Sequence, residues 1–437
     1  MPKNNEAAPI FIDLFAGCGG LSLGLFQAGW QGLCAIEQSP DAFKTLSHNL
    51  VNDNSRRPLV AGYDWPSWLA KKPIEISTFL NSHREELLGM AGTVTLVAGG
   101  PPCQGFSFAG RREANDPRNQ LFKKHLEIVD ILKPPLVLLE NVQGIKVAHG
   151  KKRWIDNGRK GRPRKSYADK IKHLLEEHGY LAQQNIVRAC DYGVPQLRPR
   201  YITIGIRRDL LPEDEPAPDI FKILLSIRKS FLQDRRLPVT RPVTVAEAIS
   251  DLQISGQDMK ECTEADTRRG FKQISKITPT TIYQHLMHGN LGEDAVNSLR
   301  LPKHRPATTS KFKEILQTCR KGVHLSSKDR ERLGIKKSAL VPLSPSKPSH
   351  TLTTLPDDML HYCEPRIHTV REHARLQSFP DWFDFLGKYT TGGKRRTKEC
   401  PRYSQVGNAV PPLLAEALGI GLLKILNSLN FKPQNSK

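Results

Sequence analysis

Four short runs in the first third of the chain are apolar on both faces and rich in β-branched residues: Ile10–Phe15, Leu33–Glu37, Val94–Ala98 and Leu136–Glu140. Helical patterns alternate with them. A strand that is apolar on both faces must be covered on both faces, which is the condition of a buried parallel strand between helix layers. The chain therefore reads as α/β. Asp169–His178 continues the pattern as an amphipathic helix with Ile171, Leu174 and Leu175 on one face, and Gly179 supplies its stop. Gln184–Ala189 and Tyr201–Ile206 read as two further strands. Their connection, Cys190–Arg200, is too short for a crossover helix, so the spacing predicts an antiparallel pair at the edge of an otherwise parallel sheet.

Beyond this region the pattern changes. Leu211–Asp219 is acidic and Pro-rich and reads as a boundary. From about Phe221 to Lys347 the periodicity is poor and basic residues are dense, among them Arg300, Lys303, Arg305, Lys311, Arg320 and Lys337. Helix signals return at Thr369–Ser378 and Pro412–Leu426, and no internal repeat of fixed period is present. Lys151–Lys165 carries eight basic residues against one acidic, the composition of a solvated loop able to touch phosphates. Over all 437 residues the formal net charge is +21, which favours a polyanionic partner, nucleic acid or an anionic membrane. The most apolar stretch, Val410–Leu426, is interrupted by Glu416 and Lys424, so no membrane span is expected. Met1–Glu6 lacks the basic and apolar regions of a secretory signal. The eight cysteines form no C-x-x-C pair. Neither a zinc site nor a disulfide framework is expected, and a reducing, cytoplasmic location is.

Two of the runs lead into loops suited to close ligand approach. Ile10–Phe15 enters Ala16-Gly17-Cys18-Gly19-Gly20 and then Leu21-Ser22-Leu23-Gly24-Leu25: strand, glycine turn, helix. Glycines let the backbone bend sharply, and the helix N-terminus offers free N–H groups to an anionic moiety. Glu37 ends the second run about 20 residues on, where a carboxylate can accept ribose hydroxyls. Ser22 stands where a dinucleotide fingerprint has its third glycine, which leaves a smaller nucleoside ligand open. The plainer reading is an ordinary tight turn with a solvent-facing Glu37. The third run, Val94–Ala98, enters Gly99-Gly100-Pro101-Pro102-Cys103-Gln104-Gly105-Phe106-Ser107. A lone cysteine is usually a small core residue. Cys103 instead sits in a loop that is stiff before it and polar after it, the setting of a thiolate nucleophile. Glu140 ends the neighbouring run, where an acid could protonate or hydrogen-bond a substrate or merely favour a helix N-terminus. Gln196-Leu197-Arg198-Pro199-Arg200 aims two guanidinium groups at the same end of the sheet, or places two salt-bridged surface arginines there.

Taken in order, these segments resemble the cytosine-5 DNA methyltransferase family of restriction-modification type. Phe11–Gly20, Gly99–Ser107, Glu140-Asn141-Val142 and Gln196-x-Arg198-x-Arg200 are similar to its first, nucleophile, Glu-Asn-Val and paired-arginine motifs. Arg371-Glu372-x-Ala374-Arg375-Leu376-Gln377-Ser378-Phe379-Pro380 and Gln405-Val406-Gly407-Asn408-Ala409-Val410-Pro411-Pro412 are similar to its two late motifs. The resemblance spans about residues 10 to 420 apart from the middle module. It implies a Rossmann-like S-adenosylmethionine-dependent methyltransferase sheet with a smaller, irregular target-recognition domain. The implied division is a discontinuous catalytic domain over 1–210, a recognition domain over 211–370, and a hinge and returning segment over 371–437. The resemblance implies S-adenosyl-L-methionine held by Phe15, Ala16, Gly17, Cys18, Gly19, Gly20, Glu37, Glu75, Pro102, Asn408 and Val410. Asp64 is the rival of Glu75 for the adenine. Cys103, Glu140, Arg198 and Arg200 would be the catalytic set, Ser107, Arg111 and Arg112 would touch DNA, and no metal is implied. Asn52–Lys72 is longer than the family minimum and has no assigned role.

The chemistry so implied is covalent. Addition of the Cys103 thiolate at carbon 6 of a flipped-out cytosine activates carbon 5. Glu140 serves ring N3, and Arg200 with Arg198 steadies charge near the carbonyl oxygen. The expected partner is double-stranded DNA. A cognate restriction endonuclease would act on the same site, and the protein itself is expected to be a monomer. An RNA (tRNA) cytosine-5 methyltransferase of the same family is the alternative, a non-catalytic DNA-binding relative and a plain Rossmann oxidoreductase being the more distant ones.

Overall fold

The computed structural model describes residues 8–52, 62–101, 121–146, 155–156, 159–160, 166–213, 216–264, 266–267, 269–292, 295–391, 395, 398–429 and 431. The first half runs β1 (Ile10–Leu14), α1 (Gly20–Gln27), β2 (Gln31–Ile36), α2 (Pro40–Leu46), α3 (Ile76–Ser82), α4 (Arg84–Gly89), β3 (Leu96–Gly99), α5 (Leu121–Leu132) and β4 (Leu136–Val142). A short antiparallel pair, β5 (Ile155–Asp156) and β6 (Arg159–Lys160), precedes α6 (Tyr167–Glu177), β7 (Tyr180–Arg188) and β8 (Pro199–Arg207).

Six of these strands form one sheet in the order β2-β1-β3-β4-β8-β7. The first four are parallel, and β8 joins β4 and β7 antiparallel, as the short Cys190–Arg200 connection required. Alternation along each strand builds two cores. Phe11, Ala98, Leu138 and Ile204 face one way, toward Leu23 and Leu25 of α1. Ile12, Val97, Val137 and Leu139 face the other way, toward Phe79 of α3, Leu126 of α5 and Ile171 of α6. Because β2 and β3 lie on opposite sides of β1, the chain reverses direction there and leaves a crevice at the carboxyl ends of the strands.

The second half adds α7 (Ile220–Asp234), α8 (Val245–Ile249), β9 (Met259–Glu261), β10 (Lys272–Ile274), α9 (Ile282–His288), α10 (Pro306–Thr318), α11 (Ser327–Arg332), β11 (Val341–Pro342) and β12 (Met359–Leu360). α12 (Val370–Leu376), α13 (Arg402–Asn408) and α14 (Pro412–Ser428) complete the chain. Among its described residues the region read as irregular thus holds five helices. Their periodicity is hard to see because most are short and locally capped. Capping boxes at Thr244–Glu247 and Thr281–Gln284 start α8 and α9, and α10 buries only Ile315. Ile315, Cys319, Leu325, Leu333, Leu340 and Leu360 form a small core of their own. α7 packs instead on α14, so the expected boundary at 211 falls upstream of a helix that lies against the sheet's own layer.

The stretch Arg402–Ser428, α13 with α14, is long and apolar enough to cross a membrane by composition, yet it is largely buried, and α14 packs between α1 and α7 as a core helix. Glycines allow the close approach. A Cβ at Gly24 would meet Ala415 Cβ at 2.4 Å, and one at Gly419 would meet Ala28 Cβ at 2.6 Å. The last helix of the chain is thereby clamped to the first.

Candidate functional site

The turn after β1 is held in shape from β2. Phe15 and Gly17 have left-handed backbones, with φ of 62° and 58°. For Phe15 this is a strained conformation that its surroundings must impose. Ala16 N–H donates to the Ile36 carbonyl at 3.0 Å. The Glu37 carboxylate accepts from Gly17 N–H at 2.9 Å and from Ser39 N–H at 2.7 Å. Burial is the main influence on Glu37 and pushes its pKa up, while those N–H donors pull it back. Each carboxylate oxygen keeps a lone pair for a further donor. Phe15 is half-buried, and α1 starts at Gly20, five residues on.

Glu75 joins this end of the sheet, because Ile74 N–H donates to the Glu37 carbonyl at 2.9 Å. Its carboxylate caps α3, accepting from Ser77 and Thr78 N–H at 2.8 and 3.1 Å. Asp64 lies farther back along β2, its N–H on the Gly32 carbonyl. The C-terminal segment closes over the turn. A Cβ on Gly20 would stand 2.3 Å from the Val410 carbonyl oxygen. The Cys18 thiol, buried and pushed up in pKa by that burial, lies 3.6 Å from the Gln405 carbonyl. Val410 is buried and Asn408 is exposed at the rim.

The second centre lies at the end of β4 and β8. The Arg200 guanidinium pairs with Glu140 at 2.5 Å, and both side chains are nearly buried. Burial lowers the Arg200 pKa and Glu140 opposes it. A Cβ on Gly100 would be 3.2 Å from Glu140 Oε2, so the loop after β3 passes directly against this pair. Pro101 is the last described residue before 102–120. Pro102, Cys103, Ser107, Arg111 and Arg112 therefore lie outside the described residues, as does most of Lys151–Lys165.

Arg198 has another environment. It is 1% exposed, and its guanidinium donates to the carbonyls of Leu352 (3.2 Å), Gly407 (2.8 Å) and Ala409 (3.0 Å). Burial first, then Arg200, drives its pKa down. Gln377 Nε2 binds the Val406 and Ala409 carbonyls, and Gln196 Nε2 binds Gln377 and the Leu376 carbonyl. Gln196, Arg198 and Gln377 thus fasten the loop that carries Asn408.

Sequence reasoning missed a polar chain beneath the glycine turn. Tyr63 O–H donates to Ser22 Oγ, and Ser22 Oγ donates to Asp13 Oδ2, each at 2.5 Å. Burial pushes the Asp13 carboxyl up to about 7. The signal was present as Ser22 in a glycine slot. Its meaning depends on Tyr63, which the unassigned Asn52–Lys72 segment supplies. The segment around α12 carries a second missed network. Arg375 pairs with Asp381 (2.5 Å) and Asp251 (3.2 Å), and His288 reaches Asp381 at 3.0 Å. Among the described residues no group of His, Cys, Asp or Glu could hold a metal ion.

Comparison with known proteins bears on the fold and the family. A family model described as C-5 cytosine-specific DNA methylase matches residues 10–58 and 71–424. A type II methyltransferase, M.DdeI of Desulfomicrobium norvegicum, is 31% identical over 430 residues, covering 96% of this chain and 90% of its own. The type II methyltransferase M.XorII of Xanthomonas oryzae is 29% identical over 455 residues, covering 97% and 87%. Among solved structures, one assigned as a DNA modification methyltransferase encoded within an E. coli prophage shares the fold. Its TM-score is 0.61 at 24% identity, over 96% of this chain and 100% of that one.

Proposed function

The chain belongs to the C-5 cytosine-specific DNA methylase family, and from that membership we propose how its own residues methylate carbon 5 of cytosine within a specific duplex sequence. The observation that carries the reading is the buried Arg200–Glu140 pair, set against Gly100, three residues before Cys103 in the sequence. The family description names DNA, which favours duplex DNA over the RNA alternative.

The residues at the β1 turn fit S-adenosyl-L-methionine. Glu37 keeps acceptor capacity for two ribose hydroxyls, Phe15 offers a ring face, and Glu75 stands beside them as the group for the adenine amine. The Ala16–Gly20 turn, Cys18 within it, gives backbone N–H groups at the α1 start, Asn408 and Val410 stand over it, and Pro102 is assigned to the same pocket from the family motif alone. When bound, the cofactor supplies an electrophilic methyl group. Cys103 adds as thiolate to carbon 6 of the flipped-out base, which makes carbon 5 nucleophilic. Glu140 holds a proton at N3, so the added electron pair does not build negative charge on the ring. Arg200 fixes Glu140 and faces the carbonyl oxygen. Loss of the carbon 5 proton after methylation re-forms the double bond and expels Cys103. Arg198, bound to the carbonyls on either side of Asn408, acts as a positioning residue.

In this reading 1–210 and 371–437 form the catalytic unit and 211–370 the recognition module, with α7 as their junction. Ser107, Arg111 and Arg112 touch DNA. The protein acts as a monomer in the cytoplasm on nucleoid DNA, as the modification arm of a restriction-modification pair. The test uses tritiated S-adenosylmethionine and mixed duplex DNA. Label at cytosine carbon 5 is expected, and label on adenine or an exocyclic amine sinks the mechanism. Cys103→Ser should abolish turnover and retain DNA binding, and a 5-fluorocytosine duplex should trap wild-type protein covalently. Turnover by Cys103→Ser at the wild-type rate would remove Cys103 from the role.

A further inference from the structure

Several described cations of the middle module are neutralised by carboxylates. Arg332 pairs with Glu314 and Asp329, and Lys337 with Asp357 and Asp358. Arg300 differs. Its guanidinium carbon lies 4.3 Å from the centre of the Phe271 ring and 3.6 Å from that of Tyr389. The side chain is half-buried, and among the described residues no carboxylate or other hydrogen-bond acceptor pairs with it. The two rings fix the guanidinium plane and leave its N–H edges free. Exposed lysines lose far more freedom on meeting an anion than a group already held in place.

The local charge is not balanced. Arg402 also lies over Tyr389, at 4.2 Å, but Glu264 accepts from both Arg402 (2.5 Å) and the Tyr389 hydroxyl (2.8 Å). One carboxylate therefore answers one of two guanidinium groups, and the charge of Arg300 remains. Lys303 adds to it, with its ammonium 5.6 Å from the Phe271 ring centre.

The position matters as much as the charge. Phe271 immediately precedes β10 in the middle module, and Tyr389 lies in the segment that leads to α13. Arg402 binds the Gly387 carbonyl, and Cys400 N–H binds Asp41. Asp41 lies in the first turn of α2, two residues from the Ser39 N–H that holds Glu37. The sandwich thus spans the seam between the middle module and the cofactor end of the sheet.

We infer that Arg300, clamped between Phe271 and Tyr389 with Lys303 beside it, is a preformed site for a phosphodiester group of duplex DNA at the seam of the two units. Arginine suits this ligand because its planar fork can give two parallel hydrogen bonds to one phosphate. The inference rests on the duplex DNA reading above and deepens it.

The experiment measures the dissociation constant of a 30-base-pair mixed-sequence duplex across a range of potassium chloride concentrations, by fluorescence anisotropy. Removing one phosphate contact should lower the slope of log affinity against log salt by about 1. Arg300→Gln is expected to show that loss and severalfold weaker binding, with the S-adenosylmethionine KM unchanged, and Arg300→Lys should restore the slope. A folded Arg300→Gln protein with the wild-type slope overturns the inference, even if its Tm has fallen, because a purely structural sandwich moves Tm alone. If Arg300→Gln does not fold, Lys303→Gln decides by the same slope. A slope that drops with duplex RNA but not with DNA also overturns it. Wild-type methylation of cytosine on the same duplex keeps the two readings apart. A wild-type protein that methylates normally beside an unchanged variant slope removes only this site, whereas one that neither binds nor methylates DNA removes both.

Discussion

Ser22 stands where a phosphate-cradling fingerprint would carry glycine, and its hydroxyl links Tyr63 to Asp13. The glycine is replaced because the backbone there need not approach a diphosphate, while the buried Asp13 needs a donor. Asp13 is ordinarily ionised above pH 3.8, but burial raises its folded pKa to about 7. Between those values the folded protein holds a proton that the unfolded chain has lost. Stability from this group is therefore full below pH 3.8, falls as pH rises and is gone above about 7. Asp13→Asn keeps the acceptor for Ser22 and removes the titration. Its Tm relative to wild type should rise between pH 5 and pH 7, by the equivalent of about 2 kcal/mol at roughly 1.4 kcal/mol per pH unit, and then level off. Calorimetry over pH 4.5 to 8 checks this, and a difference independent of pH would refute it. Individual candidate residues were legible to different degrees. Glu37, Glu140 and Arg200 could be picked out because acids and arginines at strand ends are rarely idle. Arg198 could not be separated from Arg200 two positions away, since which carbonyls surround it depends on segments 150 to 210 residues downstream.

At the scale of elements, the cofactor turn depends on a helix from the other end of the chain. α1 is eight residues long, too short to be stable alone, and α14 supplies its packing. Gly24→Ala would put a methyl group within 2.6 Å of the Pro412 carbonyl, Ala415 Cβ and Glu416 N. Overpacking of this kind costs about 1–3 kcal/mol, and here the displacement passes to the Gly17–Gly20 turn. The expected result is a lower Tm and a higher S-adenosylmethionine KM with kcat less affected. Gly89→Ala, where an added Cβ meets nothing within 4 Å, should leave both unchanged and serves as the control. An unchanged KM in folded Gly24→Ala protein would show that the turn does not rely on this contact. The strands were readable in sequence because burial on both faces leaves a local mark. The helices of the middle module were not, because capping boxes and narrow buried stripes leave almost none.

Over the whole molecule the charge of +21 divides into unequal parts. Arg198, Arg200, Arg371 and Arg375 are buried and answer carbonyls and carboxylates within the fold. Arg300 and the exposed lysines and arginines are left for a polyanion. Duplex binding should therefore fall by about a thousandfold or more between 50 and 200 mM salt, as expected for six or more phosphate contacts, while the ranking of preferred over other sequences persists. Titrations of both duplex classes at several salt concentrations test it, and a flat response would contradict a phosphate-gripping surface. By itself the sequence determined the α/β sheet, its parallel and antiparallel parts and the family, and it set the chemistry expected of each loop. All of these follow from short-range pattern and residue type. Only the tertiary structure decided that α7 joins the layer of α14, that Arg198 fastens the Asn408 loop, that Tyr63 reaches Ser22, and that Phe271 and Tyr389 close on Arg300. Each of those joins residues far apart in the chain, and a contact of that kind leaves no periodicity for a sequence to display.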